Sequence, residues 1–147
     1  MAEKTDQRLL EMWRQALLNT VRANEPDLTM RQVAVLTTVY MTDPPHTVRG
    51  LASDLNVAKP VITRALDTLG RMGLLKRKRD DADKRNVLIQ RTVKGAVYLS
   101  ELSDRIVRAD KASRGEQIDD LDEQTLNGAA ETSQNGNQAD QSVEASM

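Results

Sequence analysis

The sequence predicts a mainly α fold of the α+β class, with five helices and one short hairpin. Three observations predict it. Apolar residues recur at intervals of three and four over five separate stretches, which is the mark of helices with one buried face. Two short runs, "LLKRKR" and "NVLIQR", bracket the charged turn "DDADKR", as strands of a hairpin do. The chain is 39 % apolar but only 2 % aromatic and lacks Phe, so its core is aliphatic. A length of 147 residues fits one domain, or a smaller domain with a tail.

The first helix lies in "TDQRLLEMWRQALLNTVRANEP", where Leu9, Leu10, Trp13, Ala16, Leu17 and Val21 share a face. Thr5 or Asp6 is its expected cap, and Pro26 lies past its end. In "LTMRQVAVLTTVYMTDPP", Thr29 and Gln32 form a capping box and Val33, Leu36, Val39 and Tyr40 a stripe. Pro44 and Pro45 stop this second helix, because neither has an N–H to donate. A third, Val48 to Leu55, presents Val48, Leu51, Ala52 and Leu55 on one side. A tight turn at Asn56-Val57-Ala58 leads into a fourth at Lys59-Pro60, where proline suits the first turn. Ile62, Leu66 and Leu69 face inward on it, and Gly73 ends it. Two short helices across so tight a turn, with Ala52 and Ala58 at the crossing, make a helix-turn-helix. Beyond the hairpin, Thr92 caps a last helix whose apolar positions are Val93, Ala96, Val97, Leu99, Leu102, Ile106 and Ala109. Taken in order, the elements are those of a winged helix-turn-helix, with the hairpin as a two-stranded wing.

Charge is divided unevenly. Through Arg114 there are 21 cations and 14 acids, a net +7; after it come 8 acids and no cation, a net −8. Residues 59–94 alone hold 11 cations and 4 acids, again +7. The overall pI near 5.9 conceals a basic third of the chain. The tail, 114–147, is rich in Gln, Asn, Ser and acids, too polar to offset chain entropy, and is expected to be mostly disordered. A short helix around Ile118–Ala130 is compatible with Ile118, Leu121 and Leu126. The tail serves either solubility alone or electrostatic competition for the basic region.

Several function classes fall away. Without cysteine there is no disulfide, thiolate metal site, thiol nucleophile or thiol redox sensor. No stretch reaches the ~18 apolar residues of a membrane span, and the N-terminus lacks a signal-peptide core, so a soluble cytoplasmic protein is the expectation. His46 is the single histidine and has no acidic constellation around it. Ser53, Ser100 and Ser103 lack a nucleophile elbow, and there is no Gly-rich phosphate loop. Neither catalysis, a cofactor nor a metal is expected. Trp13 and Tyr98 anchor a core or an interface, or else line a small effector pocket.

A charge run such as "KRKRDDADKRN" is either a solvated turn or a loop shaped to touch an anionic polymer; its place after a helix-turn-helix favours the second reading. Lys84 and Arg85 are the candidate tip contacts, and Arg85 suits a narrow minor groove. Asp80, Asp81 or Asp83 can pair with Arg77, Arg79 or Arg64 across the hairpin base. On the recognition helix, Lys59, Pro60, Val61, Thr63, Arg64 and Asp67 point outward. Thr63 suits a phosphate or a thymine methyl; Arg64 either bonds guanine, touches phosphate or braces the wing. Arg49 and Arg71 are phosphate candidates or plain surface.

These residues also resemble the MarR-type winged-helix regulators over roughly Leu28 to Leu102. The resemblance lies in Leu28, Thr29, Gln32 and Leu36, then Leu51, Ala52 and Leu55, then Thr63 and Arg64. It continues in Leu69, Gly73, Leu74 and Arg77, and through the wing in Asp80, Asp83, Arg85, Thr92 and Gly95. Arg91 departs from the pattern, which usually has Leu there. The resemblance implies a dimeric, repressor-like regulator of transcription that binds double-stranded DNA sequence-specifically. Recognition helices would enter major grooves and wing arginines the flanking minor grooves. It assigns Asp83 alone to bracing the wing; Arg77 is added as a bracing candidate by the charge pattern of the hairpin base. It also implies residues 1–27 and 93–113 as dimerisation helices flanking a DNA-binding domain at 28–92. Leu9, Trp13, Leu17, Leu99, Leu102 and Ile106 are then the candidate homodimer contacts, with room for an unidentified small-molecule effector. A second C-terminal helix, part of the family's dimer, has only poorly apolar sequence to draw on here. The competing expectation is a winged-helix adaptor that binds proteins, not specific DNA.

Overall fold

A computed structural model describes residues 2–116. Its elements are α1 (Ala2–Arg22), α2 (Met30–Met41), β1 (His46–Thr47), α3 (Val48–Leu55) and α4 (Lys59–Arg71), then β2 (Leu75–Arg79), β3 (Val87–Arg91) and α5 (Val93–Ser113). The architecture is a winged helix-turn-helix flanked by two long helices that pack against each other. The acidic tail beyond Glu116, including any helix around Ile118–Ala130, lies outside the described residues.

Local chemistry sets most boundaries. The Thr29 Oγ1 accepts from the Gln32 N–H at 3.2 Å, while Gln32 Oε1 accepts from the Thr29 N–H at 2.9 Å, completing the capping box. Thr47 and Thr92 cap α3 and α5 in the same manner, each accepting an N–H at 3.0 Å. Asn56, left-handed at φ 51°, closes α3, and Gly73 at φ 74° turns the chain from α4 toward β2. At the other end of the chain the expected cap is displaced. Good helix formers Ala2, Glu3 and Lys4 carry α1 upstream, so Thr5 and Asp6 lie inside it.

The hairpin acquires a third strand. The sheet order is β1-β3-β2, all antiparallel, with His46 opposite Ile89 and Thr47 opposite Leu88. Two residues are too few to show alternation, so β1 has no signature in the sequence. His46 is buried there, its Nε2 3.3 Å from the Thr42 carbonyl. The aliphatic core joins Val35, Leu36 and Val39 of α2 to Leu51, Ile62 and Leu69, closed by Leu75 and Ile89 at the wing base.

α5 differs from its expected stripe. Val93 is 83 % and Val97 51 % exposed, whereas Gly95, Tyr98 and Ala109 are buried. The register is set by Tyr40. Its hydroxyl accepts from the Thr92 N–H at 2.8 Å and lies 3.0 Å from the Leu74 carbonyl and 2.9 Å from that of Thr92. A Cβ at position 95 would collide with that hydroxyl and with the Leu74 carbonyl, so glycine is required where α5 crosses α2. Arg91 reinforces the junction. Its Nε donates to the Val39 carbonyl and its Nη2 to that of Thr42, both at 2.9 Å, with the guanidinium 5.8 Å from the Tyr40 ring centre. Carbonyls left unpaired by the end of α2 thereby gain donors from a side chain 49 residues or more away.

Candidate nucleic-acid interface

α4 buries Ile62, Ala65, Leu66 and Leu69, and this commits the rest of its surface. Lys59, Pro60, Thr63, Arg64 and Asp67 are exposed, and Val61 is half-buried. Thr63 spends its hydroxyl proton on the Lys59 carbonyl at 3.1 Å, leaving its oxygen lone pairs and methyl outward. Arg49 is exposed on α3.

The wing is ordered by its own backbone. Asp80 N–H donates to the Asn86 carbonyl at 3.0 Å, and Asn86 N–H to that of Asp83 at 2.9 Å. Two carboxylates hold the tip: Asp80 Oδ1 accepts from Ala82 N–H at 2.9 Å and Asp83 Oδ1 from Arg85 N–H at 3.1 Å. Such Asx turns fix the chain without using a side-chain cation. Lys84 and Arg85 therefore stand exposed on a constrained loop.

The acid that pairs with Arg77 is not in the wing. Arg77 Nη1 donates to Asp67 Oδ1 at 2.7 Å and its Nη2 to the Thr63 carbonyl at 3.2 Å, tying β2 to the recognition helix. This corrects the expected pairing of Arg77 with Asp80, Asp81 or Asp83. Those carboxylates are taken up by backbone N–H groups of the turn, save for a loose Lys78–Asp81 pair at 3.9 Å. No spacing signal could have named Asp67, because helix and strand meet only through the tertiary fold. Between α4 and β2 runs a cleft of about 610 Å3, lined by Leu66, Leu75 and Ile89 and by Arg71, Lys76 and Arg77.

Ion pairing separates two regions. In the α1–α5 lobe Arg8 pairs with Asp110 at 2.8 Å, Arg14 with Glu11 at 2.6 Å, and Arg105 with Glu25 at 2.8 Å. The Arg105 guanidinium holds the Glu25 carboxyl below its ordinary value, and Glu25 in turn pushes the neighbouring Glu101 up by sharing a hydrogen bond. Among the described residues, no ion pair engages Arg49, Lys59, Arg64, Lys84 or Arg85.

The candidate dimer contacts fall into two groups. Leu9 and Leu17 are 43 % and 41 % exposed, and Trp13 is half-buried on the same helix. Leu99 and Leu102 pack against the core, and Ile106 is half-buried. Tyr98 is buried at 7 %, a core residue. No group of metal-ligating side chains occurs among the described residues. None of the described helices is long and apolar enough to cross a membrane.

Comparison with known proteins now bears on the site. Residues 28–87, the helix-turn-helix and most of the wing, match the MarR family. Over this segment the chain resembles MarR-family domains. Proteins of the MarR family are DNA-binding transcription regulators, not enzymes. The chain is similar in fold to a MepR variant of S. aureus bound to an oligodeoxyribonucleotide, at 19% identity over 89% of this chain and 94% of that one, TM-score 0.67. It is similar to the transcriptional regulator Tm0710 of Thermotoga maritima, at 22% identity over 90% and 87%, TM-score 0.60. PcaV of Streptomyces coelicolor, in complex with its natural ligand, is 26% identical over 86% of both chains, TM-score 0.54. No curated protein matches the sequence.

Proposed function

We propose that this protein is a homodimeric regulator of repressor type that binds double-stranded DNA sequence-specifically. α4 lies in the major groove, with Arg64 and Thr63 at base edges or phosphates and Lys59, Pro60 and Arg49 against the backbone. The wing reaches the flanking minor groove through Arg85, with Lys84 beside it. Asp83 and the Arg77–Asp67 pair hold the wing and recognition helix in a fixed relation, which lowers the ordering cost of binding.

The observation that carries this reading is the partition of ion pairs. Arg8, Arg14, Arg105 and Arg114 of the α1–α5 lobe have acidic partners, whereas the exposed cations of α3, α4 and the wing tip have none among the described residues. Unpaired cations on one functional surface fit a polyanion. The likeness to a MepR variant seen with an oligodeoxyribonucleotide supports the same reading.

The exposed faces of the outer helices support the dimer in this reading. α1 leaves Leu9, Leu10, Leu17 and Val21 exposed and α5 leaves Val93, Val97 and Val107, more apolar surface than a monomer needs. A two-fold pairing there spaces two recognition helices about one DNA turn apart. The complex of PcaV with its natural ligand supports an additional small-molecule effector.

The test is fluorescence anisotropy with genomic fragments selected by the protein, over a salt series. Steeply salt-dependent binding that weakens in Arg64→Ala and Arg85→Ala is expected. Absence of salt-sensitive binding by the unmodified protein would sink the reading and leave a protein-binding adaptor.

A further inference from the structure

The first turn of α2 carries a cation that the recognition-helix and wing assignments do not use. Arg31 is exposed at the second residue of α2 and, with Arg64, lines a shallow groove of about 210 Å3 between α2 and α4. Thr29, Gln32, Val61, Ala65 and Thr68 complete the walls. This places a second unpaired guanidinium beside the recognition helix, 33 residues upstream of Arg64 in the chain.

The placement is electrostatically costly in the free protein. A cation in the first turn of a helix faces the positive end of the helix dipole. α2 has no acidic residue in that turn, and no ion pair engages Arg31 among the described residues. Of the acids just upstream, Glu25 is bonded to Arg105 at 2.8 Å, and no ion pair joins Asp27 to Arg31 among the described residues. Thr29 and Gln32 are occupied with each other in the capping box, which fixes the turn that carries Arg31. Two like charges and a helix start therefore converge on one groove without internal compensation.

We propose that this groove seats a backbone phosphodiester of the bound DNA, clasped between Arg31 and Arg64. The inference rests on the DNA-binding reading and extends the interface from α4 to α2. A phosphate there draws on both guanidiniums and carries no base information, so Arg31 contributes affinity without specificity.

The experiment is a salt series on full-length protein and on Arg31→Gln, with Arg14→Gln as a control on α1. Probes are a mixed-sequence duplex of about 30 base pairs and a fragment selected from genomic DNA. In Arg31→Gln, affinity for both probes should fall by the same factor, about 5- to 10-fold near 0.1 M salt. The log–log salt slope should shrink by about 0.9 for each contacting subunit. Thermal melting and the control variant should be unchanged. An unchanged slope in Arg31→Gln, with salt-steep binding intact in the parent, overturns the phosphate seat and spares the DNA reading. Unequal losses on the two probes assign Arg31 to base readout and overturn it as well. Failure of the parent to bind either probe overturns both.

Discussion

Tyr40, Gly95 and Arg91 show how much one contact point can hold. The Tyr40 hydroxyl bridges the end of the β3 strand, the α4–β2 turn and the α5 cap, and only a hydrogen at Cα of residue 95 leaves room for it. Gly95→Ala should destabilise the fold by about 1–3 kcal/mol through overpacking, read as a lower urea midpoint with an unchanged m-value. A midpoint within error of the parent would show that α5 shifts freely at this crossing. Half of this junction is legible from sequence alone. Arg91 stood out as a departure from the leucine usual in the family, and Gly95 as part of a shared pattern. That both belong to a single junction with Tyr40 was invisible, because residues 50 or so apart in the chain meet only through the sheet. Leu36, Leu51 and Ile62 were legible as core because helical periodicity alone reports which face is buried.

Among the elements, the helices were the most legible and the wing the least. Thr29 with Gln32, Pro60 and Gly73 are local signals whose chemistry acts within four residues, and they mark α2 and α4 correctly. The two-residue β1 has no such signature, and the stripe expected on α5 placed Val93 and Val97 inward although both face solvent. In the wing, acids and cations were both recognised but their pairing was not. The turn's carboxylates satisfy backbone N–H groups, and Arg77 goes to Asp67. From this geometry Asp83→Ala should change stability by less than about 0.5 kcal/mol, since the site is exposed. DNA affinity should nonetheless fall several-fold as Arg85 loses its fixed tip; equal affinities in anisotropy titrations would refute the bracing.

A second elemental prediction concerns the loop joining α1 to α2. Glu25, bound by Arg105, has a lowered pKa, so its contribution is present above the ordinary value of 4.5 and is lost as pH falls through the depressed one. Glu101 has the opposite sign. Proton sharing with Glu25 raises its pKa, so its contribution belongs to acid pH and is lost as pH rises through the raised value. Glu101→Gln keeps a donor and removes the repulsion. It should raise Tm at pH 7 and make no difference near pH 4. Equal melting shifts at both values would count against the carboxyl pair.

For the whole molecule, the proposed reading has the outer helices and the basic surface act together in a dimer. Leu17→Glu puts a charge into the exposed stripe of α1 without touching the core residues of the winged helix. Size-exclusion chromatography with light scattering should find a monomer. The salt slope of DNA binding should drop to about half, because one subunit then neutralises half the phosphates. A dimer that persists would place the subunit contact elsewhere. The basic third of the chain was legible from charge counts alone, and it falls on α4 and the wing.

α5 runs without a break for 21 residues from its Thr92 cap to Ser113, roughly 31 Å at 1.5 Å per residue. Such a rod is clamped near one end at Tyr40 and tied to α1 near the other through Arg8 and Asp110, which makes it a long arm between two fixed points. A tilt of only about 5° at the clamp swings the far end by about 3 Å, given that length. If the chain pairs as proposed, small repacking against α1 would thus be geared up into a changed spacing between the two recognition helices, and a crowbar of this kind needs no hinge.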